Sequence, residues 1–268
     1  MRFGLTANIH VPDSLKICRE VLNGLGDQEV TMEDSIASHL GTHGEKVENM
    51  DVDILVTVGG DGTILRALQL NDAPVLGINA GVLGFLTEIP REEIPQSLRR
   101  VLRGDYILER RLKLKTVMGG KRCQDAMNEA VVHTAHIAKI RQFRVYVDDE
   151  LVVDTRADGV IVATPTGSTC YAMSVGAPIV APNVEALVIA PMAPFKFSAR
   201  PFVVPADSTI RIDLVRRRPC VLVVDGQDEL PVDGSRSIEF TRSENEAEFV
   251  RLESNFYSRT REKLMGSL

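Results

Sequence analysis

The run Asp53-Ile54-Leu55-Val56-Thr57-Val58-Gly59-Gly60-Asp61-Gly62-Thr63 decides the fold. Its first half is a short continuous apolar segment, the pattern of a strand covered on both faces. Glycines then open a turn, and Ile64, Leu65, Ala67 and Leu68 follow at helical spacing. Glycine allows a positive φ and a close approach of backbone to ligand, and N–H groups at the start of the following helix face outward, where a phosphate is stabilised. Asp61 is the one side chain of the turn with proton-transfer chemistry. A carboxylate beside bound phosphates suits a base that takes the proton from an attacking hydroxyl in phosphoryl transfer. The same residues also fit a plain strand-to-helix turn with an Asp near the helix N-terminus.

Outward from this run, the first hundred residues alternate as an open α/β sheet does. Phe3 to Ile9 reads as a strand, and Leu15, Cys18, Val21, Leu22 and Leu25 as a helix that Asp13 or Ser14 caps. Val52–Val58 and Pro74–Asn79 are buried strands. Pro90 opens a helix with an Ile94, Leu98, Val101, Leu102 stripe, and Gly104 ends it. After Gly104 the period falls to two: Leu112, Leu114, Thr116 and Met118 alternate with charged residues before the Gly119-Gly120 turn. Phe143, Val145 and Val147 precede the Asp148-Asp149 turn, and Ile210, Ile212, Leu214 and Cys220–Val224 continue the pattern. One short helix is expected between Ser168 and Val180. Phe256, Tyr257, Thr260 and Leu264 return to a helical period. The reading is therefore an α/β domain over 1–105, a β-rich domain over 106–252, and a tail, 253–268, packing back on the first.

The 268 residues suffice for one or two domains. A net charge of −6 argues against a broad basic surface for nucleic acid, and Arg216-Arg217-Arg218 reads as a solvated turn. No apolar run spans a bilayer and no leader follows Met1, so no membrane association and a cytoplasmic location are expected. The four cysteines are widely spaced, without a CxxC pair, and the His39/His43 and His133/His136 pairs read as surface residues, so no protein-built metal centre is expected.

Two further stretches carry chemistry. Gly77-Ile78-Asn79-Ala80-Gly81-Val82-Leu83-Gly84-Phe85-Leu86-Thr87 again follows a strand, so its loop and that after Val58 lie at the carboxyl edge of one sheet, where ligands of such sheets bind. Neither GxGxxG nor GxxxxGK[ST] occurs. Asp158-Gly159 and an apolar run lead into Thr164-Pro165-Thr166-Gly167-Ser168-Thr169-Cys170-Tyr171-Ala172-Met173-Ser174, whose hydroxyls and N–H groups suit a nucleotide's base or ribose edge. Tyr171 either stacks on a base or belongs to the core. Asn128-Glu129 interrupts an otherwise apolar strand, and a carboxylate there implies a ligand or a strand end.

Taken together, these stretches and Asp225-Gly226-Gln227 resemble the NAD kinases, which phosphorylate the 2′-hydroxyl of the adenosine ribose of NAD to make NADP. The Gly59–Thr63 motif alone is shared with diacylglycerol kinases, sphingosine kinases and phosphofructokinases; Asn-Glu with the Thr164–Tyr171 segment is more specific. The resemblance implies a Rossmann-like α/β domain, a β-rich domain, NAD in the cleft between them, and a homodimer or homotetramer. It implies that Asp61 is the base, and that Gly59, Gly60, Gly62, Thr63 and Arg66 serve the phosphate donor, with Gly62 also beside NAD. Phe85 would lie by the adenine, Asn128 and Glu129 on ribose hydroxyls, and Asp158 at the nicotinamide end. Thr169, Cys170, Tyr171, Ala172, Met173 and Ser174 would line the adenine site, and Lys139, Arg156, Ala193 and Gln227 are further NAD-binding positions. Cys170 stands where the family usually has Ala. The donor is ATP or inorganic polyphosphate, with Mg²⁺ bridging its phosphates. A lipid or sugar kinase of the superfamily would share Asp61 but has no use for the Thr164–Tyr171 segment, and a non-catalytic NADP-binding regulator would not require a base.

Overall fold

A computed structural model describes all residues except 82–83, 137–138, 197, 217, 233–236, 254–255 and 266–268. The expectations touching Val82, Leu83 and Arg217 lie outside the described residues. Two compact units are present, Met1–Arg110 with Ala247–Leu268, and Arg111–Glu246. The sequence rhythm places the divisions at 105/106 and 252/253. They fall elsewhere because two long strands, β5 (Ile107–Met118) and β16 (Ile238–Arg251), each begin in one unit and end in the other.

In the first unit the chain runs β1 (Arg2–Ala7), α1 (Ser14–Leu25), β2 (Glu29–Met32), α2 (Asp34–Leu40), β3 (Ile54–Gly59), α3 (Asp61–Leu70), β4 (Val75–Asn79) and α4 (Ile94–Leu102). The strands pair in parallel in the order β2-β1-β3-β4. Every residue of β3 and β4 is buried, which is why both read as unbroken apolar runs. Ile17, Val21 and Leu25 of α1 and Ile94, Leu98 and Val101 of α4 pack with Ile54, Val56 and Val58 of β3. Burial of each such side chain contributes about 1.5–3 kcal/mol. Asp13 precedes α1 but makes no capping bond: its backbone is left-handed (φ 63°) and its carboxylate goes to Arg91, 3.0 Å away.

The second unit continues with β6 (Lys121–Arg122), β7 (Glu129–Thr134), β8 (Arg141–Val147), β9 (Glu150–Ala157), β10 (Gly159–Ala163), α5 (Tyr171–Ser174), β11 (Ala186–Met192), β12 (Phe202–Pro205), β13 (Ile210–Leu214), β14 (Cys220–Val224) and β15 (Asp228–Val232). Here β12-β11-β10-β7-β14-β15 form an antiparallel sheet. One face of it, with Ala130, Val132, Val160, Val162, Leu187, Leu222 and Val224, shares a core with Phe143, Val145, Ile210, Ile212 and Phe240. Alternation turns Val131, Ile161, Ala163 and Val188 to the other face, against Ala172, Ala177 and Val180. The positive φ values of Gly119, Gly120, Asp148 and Asp149 fit the tight hairpin turns expected there. From Ala247 the chain is again part of the first unit, where Phe249 pairs in parallel with Val75 of β4 and α6 (Phe256–Met265) follows.

Candidate functional site

In the first unit the glycine turn leads from β3 straight into α3, whose first bonds run from the N–H groups of Thr63 and Ile64 to Gly60 O. The expected positive φ is not used: Gly60 is extended (φ −105°, ψ −169°), and Gly59 and Gly62 are not among the positive-φ residues. The glycines differ in purpose. A Cβ on Gly59 would stand 2.2 Å from Thr63 Oγ1, so this glycine seats the helix on the strand and Thr63 is buried against it. A Cβ on Gly60 or Gly62 would meet nothing within 4 Å, which leaves the backbone at the start of α3 open to close approach.

The Asp61 carboxylate is held by the second glycine loop. Oδ2 accepts the N–H of Phe85 at 2.8 Å, and Oδ1 accepts those of Leu86 at 3.0 Å and Thr87 at 3.4 Å. A Cβ on Gly84 would lie 1.8 Å from Asp61 Oδ1, so only glycine permits this approach. Thr87 Oγ1 in turn accepts the Gly84 N–H. Phe85 thus reaches Asp61 through its backbone, while its half-buried ring lies under Lys263 Nζ of α6, 3.8 Å from the ring centroid. Arg66, assigned to the donor, donates to Glu33 Oε1 at 2.5 Å and to Thr6.

Sequence reasoning missed what supports that loop. Glu88, with only 3% of its side chain exposed, accepts from Arg251 and Arg259 at 2.9 Å each and from the Leu252 N–H at 3.0 Å. Arg251 also donates to Leu86 O and Arg259 to Thr87 O, the carbonyls of the residues whose N–H groups hold Asp61. Burial, then Arg251, push the Arg259 pKa down, against the pull of Glu88 and Asp61. The signal was an arginine at the end of the apolar stretch Phe249-Val250, a position with no reason for charge unless a partner is buried there.

In the second unit, alternation along β7 puts Glu129, Val131 and His133 on the face that carries α5. With Asp158, Tyr171, Met192 and Gly226 they line a cavity of about 450 Å³. Glu129 is buried and its pKa is pushed up to about 8, first by burial and then by the charge of Asp225. Among the described residues, Glu129 Oε2 and Asn128 Oδ1 are buried without a hydrogen-bond partner. Tyr171 is 45% exposed at the cavity, which removes it from the core.

The hydroxyl-rich turn differs from its reading. Three of its hydroxyls serve backbone groups: Thr164 Oγ1 donates to Met127 O and accepts the Gly167 N–H, Ser168 Oγ donates to Pro165 O, and Thr169 Oγ1 donates to Thr166 O. A Cβ on Gly167 would fall 2.1 Å from Asn128 O. The turn therefore braces Asn128. Ala172 points its methyl into the core, Cys170 and Met173 are half-buried, and Ser174 is exposed with its hydroxyl on Tyr171 O. Lys139, Arg156, Ala193 and Gln227 are exposed and do not line the Glu129 cavity. The Arg156 guanidinium stacks 4.4 Å from the Phe195 ring centroid. Among the described residues, no group of three or more His, Cys, Asp or Glu could hold a metal, and no helix is long and apolar enough to cross a membrane.

The sequence profile of the ATP-NAD kinase N-terminal domain matches residues 3–106, and that of the ATP-NAD kinase C-terminal domain matches 127–252. The NAD kinase of Methanothermobacter thermautotrophicus is 43% identical over 274 residues, covering 99% of this chain and 96% of that protein. That of Thermococcus kodakarensis is 40% identical, covering 96% of each. Among solved structures, yeast NADH kinase complexed with NADH superposes with a TM-score of 0.90 at 26% identity, covering 99% of this chain and 87% of the other. An Archaeoglobus fulgidus NAD kinase in complex with ATP gives 0.81 at 31% identity, with 100% of both chains covered.

Two outcomes are expected from this geometry. Gly84→Ala should displace the Asp61 carboxylate and lower turnover by about 10²-fold, the scale of an ångström-sized misplacement; steady-state kinetics alongside a thermal melt separates this from unfolding. The second concerns pH. Because the folded Glu129 pKa is raised from its ordinary 4.5 to about 8, the folded state binds a proton that the unfolded chain has lost. The stability contribution of this group is thus fully present below about 4.5 and is lost as pH rises through about 8. Urea unfolding across this range should show wild type losing stability relative to Glu129→Gln, and parallel curves would contradict the assignment.

Proposed function

This chain belongs to the NAD kinase family, and we propose that it transfers a phosphoryl group to the 2′-hydroxyl of the adenosine ribose of NAD, making NADP. One observation carries the chemical part: a carboxylate at the opening of α3, oriented by N–H groups of Phe85 and Leu86 and bordered by two glycines with free space beside them. As the 2′-oxygen forms its bond to the terminal phosphorus of the donor, Asp61 takes the hydroxyl proton, and the bridging P–O bond breaks with its electrons leaving on the donor fragment. The N–H groups opening α3 and the positive end of its dipole stabilise the phosphate charge. Alignment and electrostatics supply the acceleration, with no covalent intermediate on the protein.

ATP is the proposed donor, supported by the ATP complex of the A. fulgidus relative; inorganic polyphosphate is the alternative donor. Asn128 and Glu129 are assigned to ribose hydroxyls, Asp158 to the nicotinamide end and Tyr171 to the adenine. The described residues assemble no cluster of three metal ligands, so a divalent cation such as Mg²⁺ would be carried by the donor phosphates. We further propose a cytoplasmic homodimer or homotetramer, which light scattering on the purified protein checks. A lipid or sugar kinase is disfavoured by the match over 127–252, and a pure NADP-binding regulator by an intact Asp61.

Labelled ATP or polyphosphate offered with NAD, NADH, diacylglycerol or fructose 6-phosphate tests the assignment, and labelled NADP is the expected product. Asp61→Asn should retain the fold and NAD binding while lowering turnover by about 10²–10⁴-fold, the typical effect of removing a general base. Near-normal turnover in that variant would take Asp61 out of the mechanism.

A further inference from the structure

Asp225 sits in the turn between β14 and β15 with φ 48°, followed by Gly226 at φ 67°. Two successive left-handed residues make a hairpin turn that favours Asn, Asp and Gly, and nothing in such a turn calls for a buried carboxylate. Asp225 is nevertheless only 7% exposed. Its Oδ2 accepts the Met127 N–H at 2.7 Å, and its Oδ1 accepts those of Asn128 at 2.7 Å and Glu129 at 3.2 Å. Three consecutive N–H groups converging on one anion form a nest of the kind that elsewhere binds phosphate; here the anion belongs to the protein. The Asp225 N–H also donates to Glu129 O at 3.0 Å, so the two segments are joined in both directions.

These bonds act on the two residues assigned to the ribose. With backbone groups of 127–129 bound to Asp225, the buried Asn128 Oδ1 and Glu129 Oε2 keep no partner among the described residues. Buried acceptors without partners are costly, and a polyhydroxyl ligand would relieve that cost. We propose that Asp225 is the positioning residue of the acceptor site: it fixes the backbone that presents Asn128 and Glu129. Burial raises the Glu129 pKa, and the charge of Asp225 beside it adds to that effect. The inference rests on the reading of Asn128 and Glu129 as ribose-binding groups. A protonated Glu129 both donates and accepts, which suits a hydroxyl better than an anion would. The groups facing it are Asp225 from the turn, Asp158 and His133 around the same cavity, and Lys113, which acts on Asp225.

Asp225→Asn keeps a residue suited to a left-handed turn, but sets an amide NH₂ against one set of the N–H donors and removes the charge. It should raise KM for NAD about tenfold or more, the scale of a lost charge-assisted bond, with kcat and the donor KM little changed. In carboxyl ¹³C NMR the Glu129 midpoint should move to lower pH, a change that simple loosening of a turn would not produce. Asp225→Glu, which restores charge without the reach, should return the midpoint toward wild type while KM stays high. A folded Asp225→Asn with unchanged NAD KM, or with an unchanged Glu129 midpoint, overturns the proposal. If that variant does not fold, wild-type spectra decide: Asp225 must stay ionised while Glu129 takes up its proton near about 8, and the reverse order overturns it. Were NAD not the acceptor, the KM readout would vanish and the titration would remain, so the two failures are distinguishable.

Discussion

A carboxylate gripped by consecutive backbone N–H groups is the interaction on which each half of the molecule's chemistry depends. In the first unit Phe85, Leu86 and Thr87 hold Asp61; in the second Met127, Asn128 and Glu129 hold Asp225. The physical advantage is common to both. Backbone N–H groups are fixed by the fold, carry no rotamer entropy and cannot titrate, so they orient an anion without adding a competing charge. The consequences differ because burial differs. Asp61 remains partly accessible at the head of a helix, where an oxygen lone pair can meet a substrate proton. Asp225 is enclosed, and its effect is carried by its neighbours.

This arrangement explains glycines that a motif alone does not. Gly84 exists because a methyl would collide with Asp61 Oδ1, and Gly167 because a methyl would collide with Asn128 O. Both are close-approach positions rather than turns that need positive φ. Gly59 belongs with them, since Thr63 occupies the volume its side chain would fill. Gly60 and Gly62 have empty space beside them, so packing within the first unit gives no reason for glycine at either position.

Much of this was legible from residue order. Unbroken apolar runs identified β3 and β4, two-residue alternation identified the second half, and the Asp148-Asp149 and Gly119-Gly120 turns lay where the strands required them. The glycine motif singled out Asp61, which the structure places as the first residue of α3. The hydroxyl-rich segment was harder to read, because composition shows that Thr164, Ser168 and Thr169 offer hydroxyls but not that backbone groups in and beside the turn already engage them. The partners of Asp61 were hidden for a related reason. Backbone N–H groups leave no trace in residue identity, and the loop that supplies them follows Asp61 by more than twenty positions. Glu88, Arg251 and Arg259 were equally silent, being ordinary charged residues until the chain's return brings them together.

That return determines how firmly the Asp61 clamp is held. Leu86 and Thr87 each donate an N–H toward Asp61 and accept, at their carbonyls, a guanidinium from Arg251 or Arg259. The Leu86 carbonyl shares its peptide with the Thr87 N–H, so the Arg251 bond polarises the donor that Thr87 offers to Asp61. Two arginines beside one another would repel, and Glu88, bonded to both, offsets that repulsion while desolvated. Removing one member of such a buried set typically costs about 3–5 kcal/mol, because the remaining charges lose their compensation. The glycine turn places a carboxylate at the helix start, the loop at 85–87 orients it, and residues more than 150 positions further along the chain than that loop brace the loop in turn. The last strand and helix are therefore part of the chemistry of the first unit, although neither carries a residue of the glycine motif.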